Sequence, residues 1–558
     1  YAVGGGESGY IAARPDQPDI YYAGSYGGLL TRFDRRTGER RAINIWPENP
    51  MGYPSGEIRE RFQWTFPIVL APRNPRVVYV GSQHLWRSTD EGQSWARISP
   101  DLTRHAAETL GPSGGPITRD QTGVETYATI FSIAPSPRDS MVIWTGSDDG
   151  KVFVTRNGGR TWSDVTPPGL GGFARISLVE ASPHAVGKAY VAANRYQQDD
   201  RAPYAYRTTD FGRTWTRITT GIPDGDFLRA VREDPRREGL LFAGTEHGIW
   251  ASWDDGGHWR SIRQGLPDVQ VADITVRDND LVIATHGRSF YVMDDISPLR
   301  QAAAPEAPAQ PRLYRPADAV RTRGVTVYYA LPRRAERVTL DFLDAQGRVI
   351  RSFSGTPADS AAAARPPGGR GGEDEEDEDQ PARPREPKLA VKAGLNRFTW
   401  DLRYPGAEDF PGLVMWAARL VGPRAVPGAY RARLTVDGRP VGTEEFRVVM
   451  DPRVRVAPAD LQAQFGLAMR VRDRTTDANR GVLLVRGIRD QVTERMARTQ
   501  DPGIRAAADA LLRRLAPIED SLYNPRLRSS QDPLNFPIRL NNKMAALMGV
   551  IESAESAP

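Results

Sequence analysis

The chain of 558 residues contains no cysteine. Disulfides and thiolate metal sites are therefore excluded, while the compartment stays open, because many exported bacterial proteins do without cysteine. Histidine is scarce, and His84, His105, His184, His247, His258 and His286 show no H-E-x-x-H or other ligand spacing. His247 and His286 each precede a glycine between strands, a turn position, so neither a metal nor a cofactor is expected. No apolar run reaches the ~18–20 residues of a membrane helix, so no membrane span is expected. There is no initiator methionine and no signal peptide. The chain opens at Tyr1 in mid-pattern, which reads as an excised or mature fragment, and the missing signal then says little about export. The net charge is +5, carried mostly by arginines scattered through every segment. A nucleic-acid surface would gather them into a stripe with aromatics between, so an arginine-biased composition is the better account and no nucleic-acid partner is expected.

What the sequence does contain is one short turn, four times: STDEGQSW at Ser88–Trp95, TRNGGRTW at Thr155–Trp162, TTDFGRTW at Thr208–Trp215 and SWDDGGHW at Ser252–Trp259. Asp90, Asn157, Asp210 and Asp254 accept hydrogen bonds from backbone N–H groups of their own turn. The glycine covers a backbone conformation that side chains resist. Trp95, Trp162, Trp215 and Trp259 return to the core with a large apolar surface. The motif closes a β-hairpin and holds no nucleophile or proton donor. It resembles the Asp-box, or BNR repeat, of sialidases, sortilin and propeller glycosidases, where the box is structural.

Six segments repeat one plan of alternating strands and tight turns, beginning near Gly9, Trp64, Ala128, Ala174, Leu228 and Ala272. The four tryptophans lie 67, 53 and 44 residues apart. The shortest interval fits a four-stranded blade of ~40–45 residues, and the longer two carry insertions. The first and last copies lack the turn, as the ends of repeat arrays do. The fold expected is mainly β: a β-propeller of four-stranded blades over 1–298, with six blades visible, part of a larger or double ring. A solenoid is the alternative. A Pro/Ala linker is read over 299–323. An Ig-like β-sandwich follows over 324–450, with hairpin turns at Asp344 and at Asp437-Gly438. Its insertion 355–387, with the acidic run Glu373–Asp379, cannot bury a core and is expected to be disordered; the run reads as a solvated loop before a calcium or partner site. The last segment, 451–558, reads as a helical hairpin bundle. One apolar stripe runs from Leu461 to Met496, a second from Ile504 to Leu522 with Pro517 expected to kink or end it, and a third from Leu540 to Ile551.

Two phosphate- or nucleophile-type motifs fail on context. The G-x-G-x-x-G at Gly4–Gly9 precedes a strand instead of opening a helix. The G-x-S-x-G at Gly111–Gly115 puts Ser113 in a loop instead of on a strand-to-helix elbow. Geometry offers a better place. In a propeller, the loops entering the innermost strands ring the mouth of the channel. Here they carry Glu7, Gln63, Trp64, Glu125, Tyr127, Arg175, Asp226 and Arg229, and the insertions Pro47–Trp64 and Thr103–Thr126 would roof the same face. Carboxylates, arginines and aromatics at one mouth bind sugar rings by stacking and hydrogen bonding. Two carboxylates ~5–10 Å apart hydrolyse a glycosidic bond, and Glu125 and Asp226 are the acids to consider for that. The plain alternative is that all these side chains plug and solvate the channel.

The whole chain resembles the C-terminal part of large exported bacterial BNR-repeat proteins labelled glycosyl hydrolase or sortilin-like. The likeness is carried by Tyr22–Arg41, Trp46–Gly52, Arg61–Val69, Ser82–Arg104, Gly114–Pro137 and Ala284–Asp295. It implies an N-terminal propeller portion of the same parent chain as a partner, and a periplasmic or extracellular location. The hydrolase label in that group follows fold similarity to two-propeller glycosidases that act on plant β-glucans, and fold does not fix function. Those enzymes pair one acid from each propeller, so neither acid maps onto this chain. No arginine triad with a Tyr/Glu pair of the sialidase type is legible either. The expectation is a module that binds a polymer, polysaccharide or polypeptide, at the channel mouth. An O-glycosyl hydrolase whose site is shared with the missing propeller is the alternative.

Overall fold

The computed structural model describes residues 3–7, 9–263, 265–302, 309–359 and 386–553. The chain divides into two compact units, Tyr1–Pro305 and Glu306–Pro558.

The first unit is a succession of six antiparallel sheets, each built from consecutive strands. Their inner strands are Ile11–Ala13, Ile68–Ala71, Ile130–Pro135, Arg175–Ala181, Leu228–Glu233 and Val271–Arg277. Sheets 1 to 5 have four strands, and sheet 6 has three, ending at Phe290–Met293. The apolar layers lie between consecutive sheets. Ile20, Tyr22 and Leu30 of sheet 1 pack on Ile68, Val78 and Val80 of sheet 2. Tyr79 and Leu85 of sheet 2 meet Ile130, Ile133 and Ile143 of sheet 3. Trp144 and Val152 of sheet 3 meet Ile176, Val179 and Val191 of sheet 4. A larger layer runs from Tyr190 through Val231 and Phe242 to Ile274 and Leu281 of sheet 6. Inner strands of sheets 2 to 6 line a common channel of about 380 Å3. Tyr10, just ahead of the first inner strand, lies within electrostatic reach of Asp273 and Arg232 in sheets 6 and 5. Mainly β, with four-stranded antiparallel sheets around one channel, is the arrangement of a β-propeller.

The repeated turn does structural work. Asp90 Oδ1 accepts the Ser94 N–H at 3.0 Å and the Ser88 hydroxyl at 2.8 Å. Asp210 repeats this with Thr214 and Thr208, both at 2.9 Å. Hydrogen bonds from Ser94 and from Thr214 hold the pKa of Asp90 and of Asp210 down at about 2. The turn glycines Gly92 and Gly212 sit at φ 82° and 80°, the left-handed region. The tryptophans do more than return to their own core. Trp95, Trp162, Trp215 and Trp259 donate Nε1–H to the carbonyls of Ile43, Ile98, Val165 and Ile218 in the preceding sheet. Each turn is therefore a strut between sheets.

The second unit pairs two sheets over one core. Arg312–Leu313, Val325–Leu331 and Gly394–Trp400 form the smaller. The larger has the order Ala319–Val320, Arg439–Val449, Gly428–Val436, Val338–Leu343, Val349–Gly355. Phe342 and Trp400, one from each sheet, stack at 4.4 Å between ring centroids. Of the stretch 299–323, Ser297–Gln301 closes a helical turn on the first unit, and residues 312–313 and 319–320 pair into the two sheets. The acidic run at 373–379 lies outside the described residues.

Three helices follow: Pro458–Ala497, Pro502–Leu522 and Leu540–Ile551. The stripe on the first is buried as expected at Leu461, Ala468, Val471, Ala478, Val482 and Val485. One reading is corrected on the second, that Pro517 ends it. Helix continues through Pro517 to Leu522, where Glu519 anchors the last turn between Arg486 at 2.7 Å and Arg489 at 2.8 Å. Along its apolar stripe Ile504, Leu511 and Ile518 are exposed, Ala508, Leu515 and Leu522 are half-buried, with Leu522 packed on the cluster of Val482 and Tyr523, and Glu519 is the one residue buried.

Candidate functional site at the channel mouth

The N-terminal ends of the inner strands and the turns between second and third strands share one end of the first unit, because consecutive strands run antiparallel. The two long insertions meet there. Gly52 N–H donates to Gln121 O at 2.8 Å, Gly56 N–H donates to Leu110 O at 2.9 Å, and the Arg59 guanidinium lies 3.7 Å from the Trp46 ring centroid. Arg61, buried, ties both insertions to the ring through Asp101 at 2.9 Å and Ala128 O at 3.0 Å.

The predicted residues divide into two groups and several outliers. Tyr127 and Arg175 belong to the first group, with Asp148, Asp149 and Arg104. Burial first, then the charges of Asp148 and Asp149, raise the phenol of Tyr127. Asp148 accepts the Thr129 N–H at 2.8 Å and the Thr129 hydroxyl at 2.9 Å. Burial pushes its pKa up to about 7, with Asp149 adding to the rise and Thr129 and Arg175 opposing it. Asp149 is also raised by burial, while accepting the Ser147 hydroxyl at 2.5 Å and the Arg104 N–H at 2.8 Å. The guanidinium of Arg175 stands 5.3 Å from the Phe131 ring.

Arg229 anchors the second group. It lies 4.6 Å from the Tyr196 ring and 4.8 Å from the Phe227 ring, which stack on each other at 5.0 Å. It also reaches Glu246 and Gln270, each at 3.3 Å. The Nε atoms of Arg175 and Arg229 are buried and have no hydrogen-bond partner among the described residues.

Asp226 is buried and already engaged, accepting the His247 N–H at 2.9 Å and the Trp250 indole N–H at 3.0 Å. Glu60 holds Trp86 of sheet 2 the same way, at 3.3 Å, and also takes the Ser82 hydroxyl at 2.6 Å. Glu125 is exposed and accepts the Thr122 hydroxyl at 2.9 Å. Gln63 uses its Oε1 on the Thr65 N–H at 2.9 Å, Trp64 is half-buried beside it, and Glu7 is exposed.

Asp148, Asp149, Tyr196 and Glu246 lie outside the set chosen from sequence, which took only loops entering inner strands. The legible signal was the turn after the second strand, Ser147-Asp148-Asp149-Gly150 and Thr245-Glu246-His247-Gly248, which recurs at the same end of the ring. Among the described residues no cluster of His, Asp and Glu could hold a metal, and no helix is long and apolar enough to cross a membrane.

Toward its other end the channel is closed in by Ile133, Val179, Ile274, Pro72, Pro183 and Pro235. There Arg232 bridges Glu180 at 2.7 Å and Asp273 at 3.2 Å, and burial pushes the Tyr10 phenol up to about 12.

Asp148 carries a pH test. Its folded pKa of about 7 stands above the ordinary value of 3.8, so the folded state holds the extra proton. Stability is therefore lost as pH rises from about 4 to about 7. Asp148→Asn keeps an acceptor for Thr129 and removes the titration. The melting-temperature gain of the variant over wild type should grow across that window in calorimetry and level off above it. Parallel pH curves for the two proteins would contradict the assignment.

A multi-sheet ring with a loop-built mouth is the architecture of a β-propeller. The oligoxyloglucan-reducing end-specific xyloglucanase of Emericella nidulans is 27% identical over 187 residues, 28% of this chain and 22% of its own. A xyloglucanase from Paenibacillus sp. is 23% identical over 228 residues, 39% of this chain and 20% of its own. The chain thus spans about a fifth of the length of these relatives. Among solved structures, an ancestral GH74 enzyme is 14% identical with a TM-score of 0.33, covering 81% of this chain and 63% of its own. The GH74 xyloglucanase from Xanthomonas campestris is 15% identical with a TM-score of 0.22, covering 57% and 58%. No family model matches the chain.

Proposed function

We propose that the first unit is a polysaccharide-binding propeller that takes a β-glucan such as xyloglucan at the channel mouth. The observation that carries this is the Tyr196–Phe227 stack capped by Arg229, next to the inner strand that Arg175 opens. Aromatic faces receive sugar rings, guanidinium groups receive hydroxyls, and the named activity of the relatives supplies the polymer class. Tyr127, Glu125 and Trp64 extend the surface; Asp226 and Gln63 shape it. In the same reading the repeated turns are Asp-boxes of an exported BNR protein, periplasmic or extracellular, and an N-terminal propeller portion of the parent chain is its partner. The ring ends near residue 298. The sandwich over 324–450 is Ig-like, and the helices over 451–558 form a bundle that spaces or docks the ring.

The test is affinity electrophoresis of the whole chain through gels with and without xyloglucan, backed by a glycan and peptide array. Retardation by xyloglucan that Arg229→Ala removes is expected. Unretarded migration, or binding on the array to peptides alone, would overturn the glycan reading.

One observation favours hydrolysis as a second reading: burial raises the carboxyls of Asp148 and Asp149, both buried at the mouth, in the direction a general acid needs. The parent protein should then release oligosaccharides from xyloglucan, and Asp148→Asn should reduce turnover by about 100-fold or more. Equal turnover by wild type and variant, with Glu125→Gln or Asp226→Asn inactive instead, would move the acid to those residues.

A further inference from the structure

The struts between sheets leave one socket empty. The residue after each fourth strand, Ile43, Ile98, Val165, Ile218 or Ile262, donates its N–H to the third strand of its own sheet. In the first four cases its carbonyl receives the tryptophan of the next sheet, at 2.9, 2.9, 2.7 and 2.7 Å. The turn glycine packs on the same residue. A Cβ added at Gly92, Gly212 or Gly256 would come within 2.6, 2.6 or 2.7 Å of Ile43, Val165 or Ile218. At Ile262 no tryptophan arrives from sheet 6, which has three strands among the described residues. A cavity of about 330 Å3 remains, lined by Ile249, Ile262, Leu266, Leu281, Ile283 and Tyr291. Beside it the strand Phe290–Met293 pairs, among the described residues, with Asp280–Thr285 alone, and exposes Phe290 at 72% and Val292 at 52%.

We propose that this open edge is a docking site for an extended strand of a partner polypeptide carrying Trp-x-x-Ile or Trp-x-x-Val. The chain itself supplies the template. The four occupied positions read Trp-Ala-Arg-Ile, Trp-Ser-Asp-Val, Trp-Thr-Arg-Ile and Trp-Arg-Ser-Ile, starting at Trp95, Trp162, Trp215 and Trp259. The two residues after each tryptophan pair antiparallel with the middle of the third strand, Trp86 and Arg87 for sheet 2 and Trp250 and Ala251 for sheet 5. The counterparts in sheet 6 are Tyr291 and Val292, since Phe290 faces Ala284 as Leu85 faces Gly81 and Ile249 faces Gly244. An incoming strand would give backbone hydrogen bonds to this edge and an indole to the socket, with its Nε1–H on the Ile262 carbonyl. A second copy pairing through its own Phe290–Met293 edge has no tryptophan there and would leave the socket empty.

The probe is a fluorescein-labelled peptide with the sequence of residues 93–100, Gln-Ser-Trp-Ala-Arg-Ile-Ser-Pro, titrated with the full chain by anisotropy. Saturable binding is expected, weakened about tenfold or more by alanine in place of the peptide's tryptophan. Leu266→Trp, which places an indole at the socket, should abolish it, and Val292→Pro at the edge should weaken it while leaving the melting temperature close to wild type. Absence of saturation up to about 1 mM peptide, or equal binding of the alanine peptide, would overturn the proposal. So would sedimentation showing a dimer that Val292→Pro dissolves, which would assign the edge to a second copy.

Discussion

Replacing Glu233 with alanine should destabilise the first unit by about 3 kcal/mol, because it takes a buried acceptor from the Lys188 ammonium and from two neutral donors. Glu233, in the inner strand of sheet 5, is fully covered and receives Lys188 Nζ from sheet 4 at 3.2 Å. Its other contacts are the Ser182 hydroxyl at 2.5 Å and the Gly239 N–H at 3.0 Å. Lys188 is itself 5% exposed at its side chain and lies 3.1 Å from Asp255. Asp255 in turn takes the Tyr190 hydroxyl at 2.5 Å and Arg207 at 2.9 Å. Burial alone would lower the pKa of Lys188, yet the carboxylates of Glu233 and Asp255 raise it, so the lysine stays charged. Removing Glu233 leaves that charge to Asp255 and to Glu238 at 3.4 Å, and leaves the Ser182 hydroxyl and the Gly239 N–H without their acceptor. Lys188→Met should cost less, since Glu233 keeps two neutral donors, and the double variant should cost less than the sum of the two. Urea unfolding followed by tryptophan fluorescence measures all three. Additive losses would show that the pair does not act as a unit.

Trp259→Ala should cost a similar amount, about 3–5 kcal/mol, through lost packing instead of charge. Trp259 is the most buried of the four repeated tryptophans, at 3%, and donates to Ile218 O at 2.7 Å. Its removal opens a cavity between sheets 4 and 5 and leaves an inter-sheet carbonyl unpaired. Trp95→Ala should cost less because that side chain is half-buried. The comparison isolates the strut effect: equal losses at the two positions in thermal unfolding would mean that burial between sheets is not what these residues contribute.

The ring was legible in sequence because its signals are local. Strand alternation, the turn at Ser88–Trp95 and its three relatives, and the 44-residue minimum spacing each specify one hairpin, and repetition specifies the array. The mouth was legible only in part. Tyr127, Arg175 and Arg229 could be placed at this end from sequence because each sits at the start of an inner strand. Asp148 and Glu246 were missed because their turn joins second and third strands and reaches the same end only through antiparallel folding. Asp226 looked like a free acid in sequence. Its engagement by Trp250, 24 positions away in the chain, is a contact that no local pattern announces. The run of helix past Pro517 was not legible for a related reason: the pairing of Glu519 with Arg486 and Arg489 leaves no local signal.

The central claim is that the repeated hairpins build the ring and that recognition belongs to the loops at its mouth. Isothermal titration of the whole chain with a xyloglucan oligosaccharide, comparing Arg175→Ala/Arg229→Ala with Asp210→Asn at a temperature where both are folded, tests it most directly. The account predicts that the arginine variant loses affinity by about tenfold or more while Asp210→Asn binds like wild type. Undiminished binding without the two arginines, together with loss on altering Asp210, would contradict it.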